Sequence, residues 1–238
     1  MKEDTAYAVA IERGLIYTGL VMAVCFVIGV WTMAGLIPPP APSASAADIA
    51  ALFASRPNGI IGGSLLVMIA AGMFMPFCIA VSSAMERHTP HNGLLSRAQS
   101  GCAAVNVVFF SLRGLLWTVA AYRGDAEASE VRLFNDLDWM IMVVPTMPFV
   151  IQAVAVGLAA LAPPAQAPVL PRWLGYFSLW CAALVVPGML SGFFKHGLLA
   201  WNGLLSFWLE VIAFLLWLVV MVPVLLRALP RPHSERRD

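Results

Sequence analysis

Charge is scarce in this chain. Asp, Glu, Lys and Arg make up only 11% of its 238 residues, against roughly 25% in a soluble domain, so an ordinary soluble globular protein is excluded. Neither sign dominates. Fourteen basic residues against thirteen acidic ones leave a net charge of +1, which provides no basic surface for nucleic acid. Cysteine is equally sparse. Cys25, Cys78, Cys102 and Cys181 all fall in apolar stretches with no ligand-type spacing, and there they read as small packing hydrophobes rather than as disulfides or metal ligands.

Recognisable chemistry is missing too. There is no H-E-x-x-H, Walker loop, G-x-S-x-G elbow or dinucleotide fingerprint. Without a histidine deep in an apolar stretch, axial haem ligation between helices is not expected. His88 and His91 stand three apart, but Pro90 between them and the lack of a third ligand argue against zinc. Ser191-Gly192 precedes Lys195 and His196 without an acid in register. No cofactor and no metal are expected.

What the chain does have is apolar residues, 61% of the total. A membrane-spanning helix needs about 20 mostly apolar residues, and six stretches qualify: 15–37, 60–84, 98–121, 139–161, 173–194 and 204–226. The connections are too short for a soluble domain. The expected fold is all-α: a single six-span domain over residues 1–238 in a bacterial-type cytoplasmic (inner) membrane, with the lipid bilayer as its first partner.

Orientation follows from basic residues, which favour cytoplasmic loops. With the N-terminus inside, Lys2, Arg13, Arg87, Arg97, Arg172, Arg227, Arg231, Arg236 and Arg237 lie inside, and Arg56, Arg123, Arg132 and Lys195 outside. Nine against four puts both termini in the cytoplasm. Ala44-Ser45-Ala46 resembles a signal-peptidase site. The apolar stretch before it is longer than the ~7–15 residues of a signal core, and the acidic start is wrong for one. The first stretch therefore reads as an uncleaved span.

Two outer loops exceed simple turns. After Pro38-Pro39-Pro40-Ala41-Pro42, Asp48 can cap a short helix bearing Ile49, Leu52 and Phe53 on one side. The loop after the third span carries Val131, Leu133, Phe134 and Leu137 among Glu130, Arg132 and Asp136. Both read equally as interfacial helices on the outer membrane surface and as ordered loops. A hairpin repeat is suggested by Met75-Pro76-Phe77 and Met147-Pro148-Phe149, each followed by an inner loop and an Arg (Arg97, Arg172) opening the next span. Prolines inside spans (Pro76, Pro145, Pro148, Pro187, Pro223) are expected to kink them.

Two charges lie within spans, Arg113 in the third and Glu210 in the sixth. At 1.5 Å per residue they sit roughly 12 and 9 Å below the outer ends of their spans. An unpaired charge near the bilayer centre costs about 2.5–3.5 kcal/mol on insertion scales, so an Arg113–Glu210 ion pair or shared polar pocket is expected. Asn106 shares a face with Arg113, Asn202 and Ser206 share one with Glu210, and Asp138, Pro145 and Gln152 recur every seven residues. Asn106 and Gln152 are placed to meet below the pair. Asp136, Asp138, Lys195 and His196 are placed at an outer mouth above it. Trp117, Trp139, Trp201, Trp208, Phe193 and Phe194 gather toward the outer side, mostly as an interfacial belt, with a minority lining an apolar pocket.

These residues suggest a non-enzymatic membrane protein that binds or transports a small amphipathic or lipid-like molecule in an outward-opening cleft. Arg113, Glu210, Asn106, Asp138, Gln152, Asn202, Ser206 and His196 are the candidate ligand-binding residues. Arg113 would engage an anionic group and Glu210 would serve as counter-ion or proton acceptor. One alternative is a structural or accessory subunit held to a membrane-protein partner, with the buried charges serving stability alone. Another is a lipid-modifying enzyme with Glu210 or Asp138 as general acid or base; no nucleophile or metal accompanies them.

Overall fold

The computed structural model describes residues 2–89, 93–164 and 168–230. Its described residues are helical or loop, with no strands, and six helical segments are long and apolar enough to cross a membrane. In lipid the backbone must satisfy its own hydrogen bonds, which leaves helices as the structure open to these sequences. The chain is a polytopic all-α membrane protein.

The first span is α1 (Lys2–Val27), continued by a π-helical turn (Ile28–Met33). A short α2 (Ala46–Ser55) follows. The second and third spans are α3 (Pro57–His88) and α4 (Gly93–Tyr122). The fourth is broken into α5 (Ala128–Val143) and α6 (Met147–Leu161). The fifth is α7 (Arg172–Val185) tightening into a 3₁₀ segment (Val186–Phe193). The sixth opens with a π-helical turn (Leu204–Trp208) and becomes α8 (Leu209–Ala228).

Consecutive spans pack side by side, and α8 closes back on α1, so the six form a ring. Small residues set the closest approaches, as expected where lipid offers no hydrophobic drive for association. A Cβ on Gly63 would strike the carbonyl oxygen of Gly29, and one on Gly29 would lie 2.7 Å from that of Gly63, which presses α1 against α3. Gly157 and Gly175 do the same between α6 and α7. The ring's interior is aromatic. Phe74, Phe77, Phe110, Phe149, Phe214 and Trp217 form a connected cluster with centroids 5.1–6.4 Å apart.

At the end bearing the termini, Arg87 holds Glu12 at 2.8 Å and reaches the Ala228 carbonyl at 3.5 Å, tying α3 to the start of α1 and the end of α8. His88 is buried there. Its Nδ1 accepts from the backbone N–H groups of Val169 and Leu170, both at 3.1 Å, so it anchors the chain entering α7. His91 and the tail arginines Arg231, Arg236 and Arg237 lie outside the described residues.

Three expectations are revised. The fourth helical segment begins at Ala128, eleven residues before the expected start, so residues 131–137 form its first turns rather than a separate interfacial helix or an ordered loop. The loop helix after the first span exists, but Ser45 is its N-cap and Asp48 completes a capping box from the third position. Its Ile49 and Phe53 are buried, and it packs chiefly on α5. The prolines act differently from one another. Pro76 and Pro223 sit in unbroken helices, Pro145 lies in the α5–α6 break, Pro148 is in the first turn of α6 and Pro187 opens the 3₁₀ segment. The two halves of the suggested repeat thus differ locally, although Phe77 and Phe149 both set an edge against Trp217.

Candidate functional site

Arg113 is 1% exposed, buried on the inward face of α4. Its carboxylate partner is Asp138 rather than Glu210. Nε donates to Oδ1 at 3.2 Å and Nη2 to Oδ2 at 3.0 Å, a bidentate pair whose acid is fully buried. Asp138 therefore does not stand at an outer mouth. The early start of α5 carries it ten residues into the span, to the depth of Arg113. Val131, Asn135, Asp138 and Trp139 form the buried face of that helix. The guanidinium also stacks on aromatic rings, 4.8 Å from the Trp117 centroid and 5.7 and 5.9 Å from those of Trp139 and Phe26. Trp117 and Trp139 are accordingly fully buried around the pair, not part of an interfacial belt, and Trp201 is buried as well.

Because Asp138 occupies Arg113, Glu210 has no cation within ion-pair distance among the described residues, and its buried Oε2 has no hydrogen-bond partner. The carboxylate lies against Gly188, where a Cβ would come within 2.5 Å of Oε2. Thr146 Oγ1, in the α5–α6 break, is buried and unpartnered as well. Three formal charges thus meet in the interior, and the bidentate pair cancels two of them. The remaining one is a carboxylate.

Glu210 lines a cavity of about 40 Å³ together with Asn106 and Thr146, walled by Phe26, Phe109, Phe110, Phe149 and Phe214. A second cavity of about 80 Å³ shares Phe26, Met142 and Val211 with the first. Arg113 is the only charged residue in its lining, and the walls come mainly from α1 and the start of the sixth span. Its lining includes Val27 and Trp31, which are exposed on the side of the bundle, and Ile37 from the connection after α1. At the loop end, Trp201 Nε1 donates to the Pro40 carbonyl at 2.8 Å, which ties the last loop to the first. The larger cavity therefore reaches the surface sideways, at the α1–α8 seam.

Irregular backbone surrounds this region. The turn 28–33, the break at 144–146, the 3₁₀ segment and the turn 204–208 all lie in the half of the bundle away from the termini. Residues from three of them line the cavities. Within a membrane, non-helical backbone is tolerated where protein or a water-filled cavity covers it, and π-helical turns often accompany functional sites.

The other expected residues divide. Asn106 donates to Gln152 Oε1 at 2.6 Å, and Gln152 Nε2 approaches Cys78 Sγ at 3.5 Å, so the amide pair exists below the charges. Ser206 faces the same 3₁₀ segment as Glu210, but its hydroxyl donates to the carbonyls of Leu199 at 3.0 Å and Pro187 at 3.4 Å. That bond fastens the last loop. Asn202 is half-buried in that loop, Lys195 and His196 are exposed, and none of the three lines either cavity. Thr146 and Gly188 were missed from sequence. The Pro145-Thr146 and Pro187-Gly188 steps were the available signal. All four cysteines are free thiols.

Compared with known proteins, the chain matches no family model, no curated protein and no solved structure.

Proposed function

We propose that the protein binds or transports a small amphipathic molecule without chemically altering it, and that the molecule's polar head is cationic. One observation carries this reading: the buried, unpartnered Oε2 of Glu210 in a cavity walled by five phenylalanines. A carboxylate with aromatic faces around it suits an ammonium group, which gains both an ion pair and cation–π attraction. About 40 Å³ admits only a small head, such as a primary ammonium. An attached alkyl chain has the adjoining apolar cavity and the α1–α8 seam as its way to the lipid.

This reverses the roles read from sequence. Arg113 is engaged by Asp138 and supports the site, and Glu210 receives the ligand. The irregular outer half favours a site that changes shape over a rigid plug. The accessory-subunit reading draws support from the bidentate Arg113–Asp138 pair, which glues α4 to α5 as such a role requires, although Arg113 Nη1 is left without a partner. It leaves Glu210 unexplained. No metal-binding cluster stands by Glu210 or Asp138 among the described residues, and the one hydroxyl in the Glu210 cavity, that of Thr146, has no hydrogen-bonded base to activate it, so nothing favours the lipid-modifying reading.

The test uses octylammonium, octanol and octanoate against the protein in nanodiscs, with tryptophan fluorescence as the readout. Octylammonium is expected to bind saturably. Glu210→Gln should weaken it about ten-fold or more, the scale of a lost charge-assisted hydrogen bond. Preference for octanoate, or equal binding to the variant, overturns the proposal.

A further inference from the structure

Polar side chains continue from Glu210 toward the end of the bundle that carries the termini. Asn106 lines the Glu210 cavity and donates to Gln152, which approaches Cys78. One turn along α3 from Cys78, the Ser82 hydroxyl donates to Gln99 Oε1 at 2.6 Å and lies 3.1 Å from the Ser96 carbonyl. Ser96 Oγ donates to Glu86 Oε1 at 2.8 Å, and Glu86 is exposed at the bundle's end. Cys78, Ser82 and Glu86 are spaced by four on α3. Gln99 and Asn106 are spaced by seven on α4. The line follows the α3–α4 seam and crosses to α6 at Gln152.

Such a line is costly to build in a membrane interior, where apolar residues would pack without penalty. Helix glue alone does not account for it, because it is incompletely satisfied. Gln99 is fully buried and its Nε2 has no partner. At the other end of the line, Thr146 Oγ1 and Glu210 Oε2 are likewise unpartnered, beside a cavity of about 40 Å³. A buried water needs roughly 10–15 Å³ of such space and two to four polar partners. The Glu210 cavity meets both conditions, and the buried Gln99 amide bridges the step between Ser82 and Cys78.

We infer that this line is a water-lined proton path from the termini end of the bundle to Glu210. The proton passes from bulk water at Glu86 along bound waters held by the hydroxyls and amides. It adds to the Glu210 carboxylate and leaves by the same route. The charged group whose field reaches Glu210 is Arg113 of α4, itself locked to Asp138 of α5; the cavity walls from α1, α6 and α7 (Phe26, Phe149, Val185) are uncharged. Glu210 therefore holds either a proton or a cation, and a path to one side makes that choice responsive to the acidity of that side alone. The path uses the same cavity as the proposed function but does not depend on an ammonium ligand.

The experiment follows the Glu210 carboxyl band by infrared difference spectroscopy, assigned by Glu210→Gln, in uniformly oriented proteoliposomes without added amine. Acidifying the termini side should raise the band promptly; acidifying the other side should leave it unchanged. Gln99→Met, which keeps size and removes polarity, should slow the response about ten-fold or more. Ser82→Ala removes only a hydroxyl and should slow it in the same direction, which keeps the test open if Gln99→Met fails to fold. A band that follows the opposite side, follows neither, or responds at the wild-type rate in both variants overturns the path. Octylammonium binding with no proton response would sink the path and leave the proposed ligand site standing.

Discussion

Glu210 and Gly188 are fitted to one another: the carboxylate oxygen Oε2 lies 2.5 Å from where a side chain at residue 188 would begin. The same Cβ would strike the Val143 carbonyl, and the Thr146 methyl lies 3.1 Å from it. The missing side chain is what allows the 3₁₀ segment, the α5–α6 break and α8 to meet. Gly188→Ala is expected to destabilise the fold by about 1–3 kcal/mol, the scale of overpacking, and to abolish octylammonium binding by moving Glu210. Thermal unfolding in nanodiscs beside the fluorescence titration checks both. An alanine variant with wild-type stability and binding would show that the carboxylate is not seated there.

Removing one member of the Arg113–Asp138 pair strands the other in the interior. Asp138→Ala is expected to cost about 3–5 kcal/mol, whereas the double variant Arg113→Met with Asp138→Leu should cost markedly less, since a buried pair replaced by apolar groups is often near neutral. Thermal unfolding of the single and double variants decides. Equal losses would mean that the cation–π contacts with Trp117 and Trp139, not the ion pair, hold α4 to α5.

His88 accepts two backbone N–H groups at one ring nitrogen, so that nitrogen carries no proton in this structure. His88→Ala leaves the Val169 and Leu170 amides without their partner, at a cost of about 1–3 kcal/mol for unsatisfied buried groups. Hydrogen exchange at those two amides should speed up with little change in α4 or α8. Unchanged exchange would remove His88 as the anchor of this loop.

The six spans were legible because hydropathy over twenty residues is a coarse, robust signal. The Asn106–Gln152 contact followed from helical spacing and equal depth. The partner of Arg113 did not, for a definable reason. Glu130, Arg132, Asp136 and Asp138 lower the hydropathy of the segment, so hydropathy alone starts the fourth span at Trp139 and leaves Asp138 at its edge. The period that would have corrected this was present: Val131, Asn135 and Asp138 fall on one helical face, which a surface loop has no need to maintain. Glu210's isolation was likewise out of reach, since which of two acids reaches an arginine depends on where a helix begins and breaks.

The ring order of the spans bears on biogenesis. The broadest contacts join spans that are consecutive in the chain, except that the sixth also packs on the first, α8 against α1; α3 touches α6 and α8 across the ring as well. The contacts between consecutive spans can form as each new helix emerges, but the contact of α8 with α1 must wait until α8 has been inserted. The larger cavity lies on that last contact, so until α8 is in place it is an open groove along α1 rather than an enclosed space.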